Sequence, residues 1–188
     1  MKRKLKKCRV FVIVHGKSEL AICKNIFSSL RLKNYCFSDK KGAKSIQVSG
    51  LLTTLSNAHF KDFRGFQREY EDIEFYKNEP INLKIFIIMD VDDCTSSEKE
   101  QFKSGRMFSS HWLAKWIVPI YNDPNLEQTM LEIGKKINQK KEYRRFFSGM
   151  TDEELSEINE SLKRCRCSNL HEFLTYSLAL ATEDGSSS

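Results

Sequence analysis

The sequence predicts an α/β fold, a mostly parallel sheet flanked by helices and followed by a helical C-terminal extension. Three observations point there. Val10-Phe11-Val12-Ile13-Val14 and Ile85-Phe86-Ile87-Ile88-Met89 are short apolar runs rich in β-branched residues, the pattern of strands buried on both faces. The first run passes through a glycine turn straight into a helical pattern, the opening of a strand–helix unit. The second stops abruptly in Asp90-Val91-Asp92-Asp93, so charge collects where a strand ends.

Taken in order, Met1 to Lys7 carries five positive charges and no negative one and reads as a basic arm. The apolar segment after it is too short for a signal peptide's apolar region, and no small-residue cleavage site follows. Arg9 to Val14 is the first strand. His15-Gly16-Lys17-Ser18 is a turn, with Gly16 free to take positive φ and Ser18 suited to cap a helix. Leu20, Ile22, Cys23, Ile26, Phe27 and Leu30 then recur at helical spacing and form one apolar face.

Tyr35 to Ser38 reads as a short strand, Lys40-Lys41-Gly42-Ala43-Lys44 as a loop, and Ser45 to Val48 as a second extended piece. A helix is expected from Gly50 to about Phe60. Residues 61–80, charged and aromatic, are expected to be helical with a loop ending at Pro80. The strand from Lys84 to Asp93 follows. Residues 94–106 read as an exposed loop running into a helix that His111-Trp112-Leu113 continues. Trp116 to Tyr121 is a strand, moved toward a sheet edge by Pro119. Asn122-Asp123-Pro124-Asn125 is a turn, and Leu126 opens a helix. Helices are expected over Lys135 to Phe147, over Asp152 to Lys163 after a Thr151 cap with Glu154, and over Asn169 to Ala181 after Ser168. The chain thus divides into an α/β domain over residues 1–135, a helical extension over 136–182 and a frayed tail over 183–188, without internal repeats.

With 188 residues, 40% of them hydrophobic and 30% charged, the chain can bury one core. No apolar stretch is long enough to cross a bilayer, and a cytoplasmic location is expected. Cys8, Cys23, Cys36, Cys94, Cys165 and Cys167 form no CxxC pair. Cys165-Arg166-Cys167 is tighter than common zinc spacing, with His171 alone nearby in sequence, so reduced, buried or incidental thiols are expected. The net charge of +6 permits a nucleic-acid partner without requiring one. It is uneven: Lys135 to Arg145 is basic apart from Glu142, whereas Glu69 to Glu79 is mainly acidic. Lys140-Lys141-Glu142-Tyr143-Arg144-Arg145-Phe146 mixes bases with aromatics, which suits a nucleic-acid surface or, equally, an amphipathic helix.

Asp90 and Asp92 lie two apart, so on an extended backbone their side chains point the same way. Two such carboxylates repel unless a hard cation sits between them; the alternative is a solvated strand exit. Glu19 falls in the first turn after one strand, and Glu127 follows Pro124 after another. In a parallel sheet the carboxyl ends of strands share one edge, where these acids converge. Gly16-Lys17-Ser18 is not the end of a Walker A loop, because Phe11 stands where the motif needs glycine.

Val14-His15-Gly16-Lys17-Ser18-Glu19, Asp90-Val91-Asp92 and Asn122-Asp123-Pro124-Asn125-Leu126-Glu127 together resemble the Toprim domain of topoisomerases, bacterial primases and overcoming-lysogenization-defect nucleases. More narrowly, residues 8–135 resemble small stand-alone Toprim proteins of the RloB or abortive-infection type. The resemblance implies a Toprim-like (Rossmann-like) sheet and a metal-dependent nuclease acting on DNA or RNA, in anti-phage defence beside an ATPase partner. It implies Mg²⁺ or Mn²⁺ held by Asp90 and Asp92 with Glu19 or Glu127. His15 stands where the family has its first glutamate. On the resemblance, His15 is the candidate base or an extra ligand, with Glu19, Asp90 and Asp92 as its catalytic companions. The competing readings are a Toprim-like scaffold that has lost catalysis and binds nucleic acid or a partner protein, and a nucleotide sensor at the same acidic edge.

Overall fold

The structure, a computed structural model, describes residues 7–137 and 140–185. Strand β1 (Val10–Val14) leads into helix α1 (Lys17–Ser29) and strand β2 (Asn34–Phe37). Two short helices, α2 (Leu51–Leu55) and α3 (Phe63–Glu69), and a small hairpin of β3 (Phe75–Tyr76) and β4 (Glu79–Pro80) precede strand β5 (Lys84–Asp90). Helix α4 (Ser96–Lys103), strand β6 (Ile117–Asn122) and helix α5 (Leu126–Glu132) complete the α/β part. Helices α6 (Lys140–Phe146), α7 (Asp152–Lys163) and α8 (Leu170–Gly185) form the C-terminal helical region.

The four long strands make one parallel sheet in the order β2-β1-β5-β6. The register pairs Val14 with Ile88 and Asp90 with Asn122. Pro119 lies on the outer strand β6, as a residue without an N–H must. The chain runs from β1 to β2 on one side and returns to β5 on the other. The strand order therefore reverses between β1 and β5, and the crevice at their carboxyl ends is where such sheets receive ligands.

Alternation along the strands builds two cores. Val10, Val12, Val14, Phe86, Ile88 and Ile120 face α1 and helices α5 to α8, with Phe27, Tyr143, Phe147, Leu155 and Phe173 in the same cluster. Phe11, Ile13, Ile85, Ile87 and Met89 face the other way, onto Phe60, Phe66, Tyr70, Phe102 and Phe108. The C-terminal helices are thus one wall of the sheet's own core. Among the described residues, no helix is long and apolar enough to cross a membrane.

Several expectations change in detail. The segment 61–80 holds only the seven-residue α3 and then turns back as the β3–β4 hairpin. Lys77 and Asn78, with φ of 48° and 66°, supply the two consecutive left-handed residues that a tight hairpin turn needs. Ser45 to Val48 joins no sheet; its Ile46 N–H donates to the His15 carbonyl and its side chain fills the second core. The helix expected over Gly50 to Phe60 is confined to α2. Helix α4 starts earlier than expected because Thr95 and Glu98 form a capping box, and His111-Trp112-Leu113 is a turn. The same device at Thr151 and Glu154 starts α7 where expected. Helix α8 runs on through residues 183–185 of the expected tail; residues 186–188, like most of the basic arm (1–6), lie outside the described residues.

Candidate functional site

Helix α1 determines where Glu19 points. Its N-cap is Gly16 rather than Ser18, with an extended φ of −157° instead of the positive φ expected. Glycine has no side chain to cap with, so the helix is closed from the other end: Glu19 Oε2 accepts the Gly16 N–H at 2.9 Å. That bond folds the Glu19 carboxylate back over the end of β1 and buries it, 3% exposed.

Asp90, the last residue of β5, lies beside it and is 8% exposed. Its Oδ1 accepts the Leu126 N–H at 3.0 Å and the Asn122 Nδ2–H at 3.3 Å. Asp92, past the strand, is exposed, and its Oδ2 accepts from Asn125 Nδ2 at 3.4 Å. Asn125 is also the cap of α5, through Oδ1 to the Gln128 N–H, so the same residue starts the helix that presents Glu127.

One cavity of about 350 Å³ gathers these groups: His15, Lys17, Glu19, Asp90, Asp92, Asn125 and Glu127 all line it, with Gly16, Gly42 and Ala43 at its wall. Every residue singled out as catalytic or metal-binding, namely His15, Glu19, Asp90, Asp92 and Glu127, therefore faces one space. They do not close into a tight cage. Among the described residues, no three ligand atoms of this set come within 4.8 Å of one another; the group that does is Glu132, Cys165 and Cys167.

The electrostatics follow from burial and crowding. Burial pushes Asp90 up to about 8, with the charges of Glu19, Glu127 and Asp92 adding to it against the Asn122 hydrogen bond. Burial also raises Glu19, and Glu127 adds to it; backbone hydrogen bonding and His15 act the other way. Neighbouring carboxylates thus make Asp90 and Glu19 harder to ionise, the condition a bound cation relieves.

Three residues near the cavity take roles that their place in the sequence does not show. Asn122 is fully buried and accepts from Ser168 Oγ at 3.0 Å and from Thr129 Oγ1 at 3.1 Å while donating to Asp90. Asp123 does not enter the cavity; Lys103 and Lys99 of α4 bind it at 2.8 and 2.9 Å and hold its carboxyl below the usual range. Tyr143 is 1% exposed, and its hydroxyl is buried without a hydrogen-bond partner among the described residues. Burial, with Glu127, Glu19 and Asp90 nearby, pushes its phenol up. The only sequence signal for Tyr143 is its place in the basic–aromatic run, and of the two readings of that run the structure supports the amphipathic helix. Tyr143 and Phe147 fill the core against α1, so these rings are closed to base stacking.

Lys17 lines the acidic cavity, and Lys40, Lys41 and Lys44 flank its wall residues Gly42 and Ala43 in the chain, Lys44 lying 3.9 Å from the Asp39 carboxylate. Lys40 and Lys41 adopt left-handed conformations, with φ of 44° and 57°, ahead of Gly42 at 79°. A Cβ on Gly42 would lie 3.2 Å from the Lys17 backbone, so this crossing requires glycine. Lys17, Lys40, Lys41 and Lys44 are all exposed.

Comparison with protein-family models, with curated proteins and with solved structures gives no match to this chain.

Proposed function

We propose that the crevice between β1 and β5 is a divalent-cation site that hydrolyses phosphodiester bonds in DNA or RNA. The observation that carries this reading is convergence: four carboxylates from three distant stretches of chain line one cavity together with His15. The donor set fits a hard cation, because carboxylate oxygens are its ordinary ligands and two of these acids are buried against one another's charge. Mg²⁺ keeps several waters and takes one or two carboxylates beside substrate phosphates, so it does not require three of these acids to meet in a closed cage. The His15 nitrogen is a donor that Mn²⁺ accepts more readily. When bound, such a cation polarises a phosphoryl oxygen and lowers the pKa of its water.

The residues of the chain have separate tasks. Asp90 is held by Leu126 and Asn122 through Oδ1 alone, which leaves Oδ2 outside these bonds. Glu19 is tied through Oε2 to Gly16 and leaves Oε1 outside that bond. His15 lines the same cavity, and its Nδ1 is enclosed without a hydrogen-bond partner among the described residues, so the ring is a candidate base or ligand. Lys17, Lys40, Lys41 and Lys44 supply positive charge for a phosphate backbone at the mouth of a cavity too acidic to attract one. The Toprim resemblance adds a cytoplasmic anti-phage setting and an ATPase partner to this proposal. A second reading, a scaffold that binds nucleic acid or a partner protein without cleaving it, rests on His15 standing where that family has glutamate.

The test is cleavage of single- and double-stranded DNA and RNA with Mg²⁺ and with Mn²⁺. Asp90→Ala is expected to cost more than about a hundredfold in rate, beyond the 10–100-fold typical of a supporting residue. Cleavage that survives Asp90→Ala overturns the site. Binding without cleavage under any metal favours the scaffold.

A further inference from the structure

We propose that Glu132, Cys165 and Cys167 form a second metal site, one for a soft divalent cation such as Zn²⁺, separate from the acidic cavity. Cys165-Arg166-Cys167 is the turn between α7 and α8, and Glu132 is the last residue of α5. A carboxylate oxygen and the two Sγ atoms lie within 4.8 Å of one another, the group of three that meets this distance among the described residues. Spacing within the Cys-x-Cys turn argues against zinc; the third donor comes from another helix, which no local motif reveals.

The geometry suits one ion. Two thiolates bound to a single tetrahedral Zn²⁺ at about 2.3 Å sit about 3.8 Å apart. Cys165 Sγ and Cys167 Sγ are 3.4 Å apart, well outside a disulfide bond and close to that bite. Glu132 is already oriented, since its Oε1 accepts the Arg166 N–H at 2.8 Å and so brings the carboxylate onto the turn between the cysteines. Both cysteines are half-buried and Glu132 is exposed, which leaves a side for a water as fourth ligand. Two sulfur donors select Zn²⁺ over Mg²⁺, so the two sites take different metals.

The position gives the ion a consequence for the cavity. The Cys167 carbonyl accepts the Asp123 N–H at 2.7 Å, and Cys167 Sγ touches Thr129 Oγ1 at 3.6 Å. Ser168, the next residue, and Thr129 both donate to Asn122, which donates to Asp90. A cation joining α5 to this turn braces the residues that hold Asp90 from behind.

The experiment uses full-length protein, reduced and stripped with chelator, then titrated with Zn²⁺ against a competing indicator and, separately, with Co²⁺. The expected result is one tight Zn²⁺ per chain and a thiolate-to-cobalt charge-transfer band, both retained in Asp90→Ala. Zinc at about a hundredfold over its Kd is expected to raise the Tm by about 5 °C or more. Cys165→Ser/Cys167→Ser is expected to abolish the band and lower affinity at least a hundredfold. Glu132→Gln, on an exposed side chain that leaves the fold intact, is expected to lower affinity about tenfold. Zinc affinity unchanged in Glu132→Gln overturns the site, as does zinc binding without a cobalt–thiolate band. A purified, unreduced protein whose intact mass lacks two hydrogens through a Cys165–Cys167 disulfide, and which takes no zinc once reduced, overturns it as well. Loss of nuclease activity with zinc binding intact bears only on the acidic cavity.

Discussion

Asn122 donates its side-chain amide to Asp90 across the β5–β6 pair, while its carbonyl accepts from both Ser168 and Thr129. One fully buried amide thereby links strand β5, helix α5 and the turn before α8. Asn122→Ala leaves two hydroxyls and a carboxylate short of a partner. It is expected to destabilise the protein by about 2–4 kcal/mol in urea unfolding. A change below about 0.5 kcal/mol would mean that the amide is not the joint of this network.

Asp90 sets a pH dependence whose sign is opposite to that of a salt-bridged acid. Its folded-state value, about 8, stands above the ordinary aspartate value. The folded chain keeps a proton that the unfolded chain releases, so this stability is present below about pH 4 and is lost as pH rises toward 8, then level above. Thermal melts without metal are expected to fall across that window, and Asp90→Asn is expected to flatten the fall. Saturating Mg²⁺ is expected to raise the Tm more above the window than within it, because proton and cation compete for one carboxylate. An identical slope in Asp90→Asn would assign the dependence to another group.

Glu19 has two separable roles, helix cap and cavity acid. Glu19→Gln keeps an oxygen for the Gly16 N–H but loses the charge; Glu19→Ala loses both. Glu19→Ala is expected to cost about 1 kcal/mol of stability and Glu19→Gln much less. Both are expected to weaken divalent-cation binding, as calorimetry can measure. If Glu19→Gln binds the cation as wild type does, Glu19 is a cap alone.

Tyr143 carries a buried hydroxyl that nothing accepts from or donates to among the described residues. Removing an unsatisfied buried polar group while keeping the ring is close to neutral or favourable. Tyr143→Phe is therefore expected to melt at or above the wild-type temperature. A loss of about 1 kcal/mol or more would reveal a hydrogen bond made in solution through water or ligand.

The lysines flanking the cavity wall make a prediction about salt. If Lys40, Lys41 and Lys44 neutralise phosphates, replacing all three with alanine lowers nucleic-acid affinity. It also flattens the dependence of log K on log salt, by about 0.9 for each phosphate of duplex DNA that the variant leaves un-neutralised. An unchanged slope would direct the nucleic acid to another surface.

The chain's local pattern was enough to determine the α/β class, the two central strands and the Thr151 cap. Each depends on neighbours a few residues away: a run of Val and Ile, a Ser/Thr three residues before Glu. The candidate site was legible for the same reason, because parallel strands deliver their carboxyl ends to one edge whatever the loops do. Tertiary structure alone decided the rest. Glu19 caps Gly16 instead of leaving that to Ser18, Tyr143 takes the buried face of its amphipathic helix and not a nucleic-acid surface, and Asn122 becomes the joint behind Asp90. Glu132 meets two cysteines on another helix's turn. These pairings join residues far apart in the chain, and their energy appears only once burial removes water from them. No periodicity or spacing in the sequence encodes that meeting.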